Sequence, residues 1–156
     1  MSKFIFLPLL VFSFFANAGL PVMPAKDQQA LLKSADPQLA ANKKLVYDFT
    51  RIVLNGLHLD QAATFLRVDY IQHNPNVETG LQGFLDAFSQ EGPPQDIPAE
   101  VPDLVSIQAE GDLVTFSFVT EAKDSKGQVY TSTWFDMFRV QDGKIAEHWD
   151  PARKPK

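Results

Sequence analysis

The second half of the chain is four strand-like runs closed by very short turns, and few folds accept that spacing. Leu104 to Ala109, Leu113 to Glu121, Val129 to Val140 and Lys144 to Trp149 are rich in β-branched and aromatic residues. Glu110-Gly111-Asp112, Asp124 to Gly127 and Gln141-Asp142-Gly143 separate them. Connections this short return each strand antiparallel to the one before, because a parallel crossover needs a dozen residues or more. The spacing therefore predicts a four-strand antiparallel meander.

The first half has helical periodicity instead. Asp36-Pro37 supplies an N-cap and a first-turn proline, and Leu45, Val46, Phe49, Ile52, Val53 and Leu57 recur at three- and four-residue intervals. That predicts a helix of about five turns with one buried face. Asp60 is placed to cap a shorter helix through Leu66, after which Val68 to His73 reads as a strand ending at Asn74-Pro75. Thr79 and Gln82 have the spacing of a capping box ahead of the stripe Leu81, Phe84, Leu85 and Phe88. Helices first and strands second argue for an α+β domain, with the helices packed on one face of a curved sheet.

The chain of 156 residues is 45% apolar and 21% charged, enough to bury a core, and its length suits one domain. A net charge of -5 removes the electrostatic driver of nucleic-acid binding, so no nucleic-acid partner is expected. The absence of Cys removes disulfides, thiolate metal sites and cysteine nucleophiles.

Lys3, the apolar run Phe4 to Phe15 and Ala16-Asn17-Ala18 have the form of a cleavable signal peptide over residues 1–18. The run falls short of the roughly 20 residues needed to span a bilayer. Cleavage after Ala18 and a periplasmic or secreted protein with no membrane attachment are the expectations. Residues 19–36, with Pro21 and Pro24, read as a flexible tether, residues 37–151 as the folded domain and residues 152–156 as a tail.

Tyr70-Ile71-Gln72-His73-Asn74-Pro75 and the stretch from Asp136-Met137-Phe138-Arg139 through Asp142-Gly143-Lys144-Ile145 to Glu147-His148-Trp149-Asp150 resemble the SnoaL-like family of polyketide-cyclase-like and aldol-condensation proteins. The resemblance covers about residues 38 to 150. It implies the cone-shaped α+β barrel of the nuclear-transport-factor-2-like superfamily, a strongly curved, mainly antiparallel sheet wrapped around a long helix with a pocket at its open end. It also implies that Asp136 is a general acid/base moving a proton α to a substrate carbonyl. The same fold serves isomerases, dehydratases, epoxide hydrolases and non-catalytic binding or assembly domains, so the site must decide among them.

The last hairpin has two possible registers. A two-residue Asp-Gly loop sets Asp136 opposite Trp149; a three-residue loop with Gly143 as a left-handed bulge pairs Val140 with Lys144 and Asp136 with His148. The second is the expectation. It places Trp134, Asp136 and Phe138 on one face with Ala146, His148 and Asp150, so that a carboxylate and an imidazole reach one substrate. Asp136 and His148 are the candidate catalytic pair; the alternative is a satisfied buried polar pair that fixes the hairpin register.

Tyr70, Gln72, His73 and Trp134 are the candidate substrate-binding residues. Tyr70, Gln72 and Asn74 alternate with Ile71 and His73, and either set can face inward. His73 is either a second pocket imidazole or a partner of the turn backbone. A metal held by His73, His148 and Asp136 lacks any supporting ligand spacing, and no nucleotide-binding or nucleophile-elbow motif occurs. The expectation is cofactor-free and metal-free acid/base chemistry on a small hydrophobic carbonyl-bearing ligand. The rival readings are a non-catalytic ligand-binding module and an interaction domain that forms a homodimer through the outer sheet face.

Overall fold

A computed structural model describes residues 20–155, and the signal peptide expected over residues 1–18 lies outside them. Among the described residues no helix is long and apolar enough to cross a membrane. In chain order the helices are α1 (Gln28–Leu31), α2 (Pro37–Phe49), α3 (Ala62–Phe65) and α4 (Leu81–Phe88). The strands are β1 (Leu66–Gln72), β2 (Leu104–Glu110), β3 (Leu113–Lys123), β4 (Val129–Gln141) and β5 (Lys144–Trp149).

Asp36 starts α2 as its sequence suggests: its Oδ1 accepts the backbone N–H groups of Gln38 and Leu39 at 2.7 and 3.4 Å, and Pro37 takes the first turn. The helix does not end at Phe49. It widens into a π-helical segment, Thr50–Asn55, in which the Gly56 N–H reaches back to the Arg51 carbonyl at 3.0 Å. Val46, Phe49 and Val53 on its buried face join Phe116, Phe138, Leu104 and Ile145 from the sheet in one core.

The sheet runs β1-β5-β4-β3-β2. β2 through β5 form the expected antiparallel meander, and β1 adds to its end in parallel with β5, pairing Gln72 with His148. The result is a mainly antiparallel sheet with helices against one face, the α+β cone read from the sequence.

Four local expectations are corrected. The β4–β5 turn is a two-residue loop, with Asp142 and Gly143 both left-handed at φ 52 and 72° and Gln141 paired with Lys144. An extra residue in β5, Ala146, then shifts the register, so Arg139 pairs with Glu147 and Phe138 with His148. Consecutive burial of Ile145 and Ala146 marks the bulge. The bulge restores the parity that the tight turn would have reversed, so His148 keeps the face of Asp136 without being opposite it.

The segment read as a tether is docked. Ala25 N–H donates to the Leu104 carbonyl at 2.7 Å, and Gln28, 3% exposed, exchanges hydrogen bonds of 2.7 and 2.9 Å with the Val101 backbone. The Tyr47 hydroxyl donates to the same Gln28 oxygen at 2.8 Å. A polar stretch becomes part of the domain because one buried amide satisfies a backbone donor and a backbone acceptor together.

Thr79 builds no capping box; the cap of α4 is Gly80 at φ 94°, with no side-chain bond. Instead Thr79 Oγ1 accepts the Gln72 N–H at 3.2 Å and the Gly80 N–H donates to the Tyr70 carbonyl at 2.7 Å. Both groups cover the free edge of β1, whose backbone would otherwise lack partners there. Asp60 likewise caps nothing, lying within a 3₁₀ turn, Leu59–Gln61, ahead of α3.

Candidate functional site

Between α2, α4 and the inner faces of β1, β4 and β5 lies a cavity of about 210 Å³. Phe49, Phe84, Phe88 and Phe138 make most of its wall, with Leu54 from the π-helical segment. The polar groups enter from the strands and from the residue that follows β5. Tyr70 and Gln72 come from β1 and Trp134 and Asp136 from β4; His148 comes from β5, with Asp150 just beyond it.

Strand alternation explains this convergence. Trp134, Asp136 and Phe138 point inward from β4, and the bulge at Ala146 lets His148 follow suit on β5. The Trp134 indole Nε1–H donates to Asp136 Oδ1 at 2.7 Å, and His148 Nε2 lies 3.6 Å from the same oxygen. The imidazole leans on the Phe138 ring, with centroids 4.7 Å apart. Both members of the pair are largely buried, with side-chain exposures of 17% for Asp136 and 11% for His148.

The hydrogen-bond network assigns the protons. The Asn74 backbone N–H can only donate, and it faces Gln72 Oε1 at 2.9 Å. His148 Nδ1 lies 2.9 Å from that same oxygen and must therefore carry a hydrogen. In the neutral imidazole the lone pair is then on Nε2, the atom turned towards Asp136. That ring nitrogen and the Asp136 carboxylate therefore face each other across 3.6 Å, with no other side chain between them and the cavity.

Gln72 Nε2 in turn donates to the Tyr70 hydroxyl oxygen at 3.1 Å. Burial raises the Tyr70 pKa above its ordinary value, and the negative charges of Asp136 and Asp150 raise it further. Tyr70 stays protonated, and its own hydrogen is free to be donated into the cavity.

Of the six expected site residues, the structure gathers Tyr70, Gln72, Trp134, Asp136 and His148 around one cavity and leaves His73 out. His73 is on the opposite face of β1. Its Nε2 contacts Glu147 Oε1 at 2.7 Å and its ring stacks on Trp149 at 5.0 Å. The parity of β1 follows from burial, since Tyr70 is in the core while Ile71 is 45% exposed. Gln72 and Trp134 are also better described as positioning groups, because their polar atoms are engaged by His148, Tyr70, Asn74 and Asp136.

Asp150 was not among the expected site residues. Its Oδ2 accepts from Asn74 Nδ2 at 2.7 Å and its Oδ1 from the Ala152 N–H at 2.8 Å. The two-residue spacing from His148 was its sequence signal. Asp136, His148 and Asp150 offer ligand atoms within 4.8 Å of one another. Asp150, however, lies on the Nδ1 side of the ring, 4.0 Å away, while Asp136 faces Nε2, and both Asp150 oxygens are engaged. That donor set suits a hydrogen-bonded relay better than one metal ion.

Comparison with solved structures gives the same architecture. A proposed polyketide cyclase from Acidithiobacillus ferrooxidans aligns with a TM-score of 0.53 at 16% identity, over 76% of this chain and 89% of that one. An LEH-like epoxide hydrolase from Mycobacterium tuberculosis aligns with a TM-score of 0.51 at 15% identity, over 70% and 80% of the two chains. A Burkholderia pseudomallei NTF2-like protein of unknown function gives 0.51 at 14% identity, over 72% and 91%. At these identities the likeness is one of fold. A search of curated proteins returns no match. The model of the SnoaL-like domain matches residues 46–148, a span that takes in the end of α2, β1 to β4, β5 as far as His148 and so the Asp136–His148 pair. By that match the chain belongs to the SnoaL-like family.

Proposed function

We propose that this protein is an extracytoplasmic acid/base enzyme that enolises a small, apolar, carbonyl-bearing molecule. The observation that carries the reading is the facing pair of Asp136 and His148, 3.6 Å apart, at the wall of a phenylalanine-lined cavity. Asp136 takes a proton from the carbon α to the carbonyl. The C–H electron pair becomes the enolate double bond, and the carbonyl oxygen gains the charge. The Tyr70 hydroxyl donates to that oxygen, and His148 Nε2–H is the second candidate donor. Returning the proton to the same or a conjugated carbon completes exchange or isomerisation, and attack of the enolate on a second carbonyl is the aldol variant. These residues need no further group to move the proton.

In this reading the leader of residues 1–18 directs export, and the outer sheet face, where Phe135 is 52% exposed, pairs with a second copy of the chain.

The test is α-proton exchange of a simple aryl ketone such as acetophenone in deuterated water, followed by NMR. Wild type is expected to accelerate exchange, and Asp136→Asn to lower the rate by about a hundredfold or more. Equal rates in the two proteins overturn the assignment. Binding without exchange marks the cavity as a ligand-holding module.

A further inference from the structure

Asp136 borders a second chamber as well as the cavity described above. That space, of about 320 Å³ and widely open to solvent, lies between the π-helical segment and the β3–β4 wall. Leu54, Trp134 and Asp136 line both spaces and form the partition between them. The chambers differ in chemistry. The inner one is floored by the buried ring of Phe84 and by Phe88, whereas the outer one is rimmed by the exposed residues Asn55 and Asp103 and includes Thr120. No Lys or Arg lines the outer chamber, while two carboxylates, Asp103 and Asp136, do.

The widened π-helical turn is what sets Leu54 at the partition and Asn55 at the outer rim, and such turns recur at binding sites because they re-aim side chains out of helical phase. The Asn55 amide is exposed and the Thr120 hydroxyl half-buried where they line this space. A molecule whose reacting carbon is at Asp136 therefore has an apolar exit on one side and a hydrogen-bonding exit on the other.

We propose that the two chambers are one channel past Asp136 and that its substrate is an elongated ketone. The apolar end stands among Phe84 and Phe88, the carbonyl at Asp136, and an uncharged hydroxyl-bearing tail reaches Asn55 and Thr120. This rests on the enolisation reading for the position of the carbonyl. The two carboxylates exclude an anionic tail by like-charge repulsion at short range.

Isothermal titration of the full-length mature protein with three probes tests it. They are acetophenone and two phenyl ketones whose methyl carbon is extended by a short chain, ending in a hydroxyl in one and in a carboxylate in the other. The hydroxyl tail is expected to bind about tenfold tighter than acetophenone, the worth of one to two added hydrogen bonds. The carboxylate tail is expected to show no gain. Thr120→Val, which keeps the side-chain shape, is expected to lower the ratio of hydroxyl-tail to acetophenone affinity about threefold. Acetophenone binding with no gain from the hydroxyl tail, or equal gains from both tails, overturns the channel and leaves the enolisation reading standing. Failure of acetophenone itself to bind overturns both.

Discussion

Replacing Gln72 with Leu isolates the claim that one amide fixes both proton positions in the site. The side chain keeps nearly the same volume but loses three hydrogen bonds, those with the Asn74 N–H, His148 Nδ1 and the Tyr70 hydroxyl, at 2.9, 2.9 and 3.1 Å. At about 1 kcal/mol each the loss is about 3 kcal/mol, and a stranded Nδ1–H in a buried imidazole keeps it from being smaller. For a domain of this size that is a fall in Tm of roughly 10 °C. The functional consequence is separate. Without an acceptor at Nδ1 the imidazole is free to move its hydrogen to Nε2, which leaves Asp136 facing a neutral donor. Nitrogen-15 correlation spectra of the ring read the tautomer directly. Wild type is expected to show hydrogen on Nδ1 and the variant a mixture, with ketone exchange reduced about tenfold or more. A variant as stable as wild type, with Nδ1 still protonated, refutes the proton assignment.

On the outer face, Glu147 has its pKa held below the ordinary glutamate value, first by its hydrogen bond to His73 and then by Arg139, with burial opposing. Its contribution to stability is thus complete above the unfolded value of about 4.3 and is lost as pH falls through the lower folded one. Acid unfolding of Glu147→Gln followed by circular dichroism is expected to show a shallower loss of stability in that window, and an unchanged acid limb rejects it. In α4, a Cβ on Gly83 would meet the Glu78 backbone, its carbonyl carbon at 2.7 Å. Gly83→Ala is expected to cost about 2 kcal/mol despite the better helix propensity, measured by denaturant unfolding, and to weaken ketone binding by displacing Phe84 and Phe88. Wild-type stability in that variant contradicts the packing argument.

Much of the fold was legible because its signals are local. Alternation in β2 to β5, glycines between them and Asp36-Pro37 ahead of α2 each act within a few residues. The register of the last hairpin was not, because an Asp-Gly loop and a bulge at Ala146 cancel in parity and neither forces the other. The inward set of β1 was also hidden. Tyr70-Gln72 and Ile71-His73 are similarly mixed, and only the parallel pairing with β5, far along the chain, decides between them. His73 was misplaced for that reason. The docked segment before α2 was missed because Gln28 finds its partner at Val101, 73 residues later. Within the site, Asp136 and His148 were readable from their strands, while the roles of Gln72 and Trp134 as supports needed the distances.

The position of β1 has a consequence for how the protein comes into being. Among the described residues its one strand neighbour is β5, which follows the other strands in the chain. A growing chain can close α2 and the first turns of the meander early. Tyr70 and Gln72, though, have nothing to line up against until residues Lys144 to Trp149 arrive, and the imidazole arrives with them. Pairing over such a separation is slow, since loop closure must precede any gain. The candidate site is therefore assembled late: a chain that lacks Lys144 to Trp149 lacks both the imidazole and the strand on which β1 is aligned.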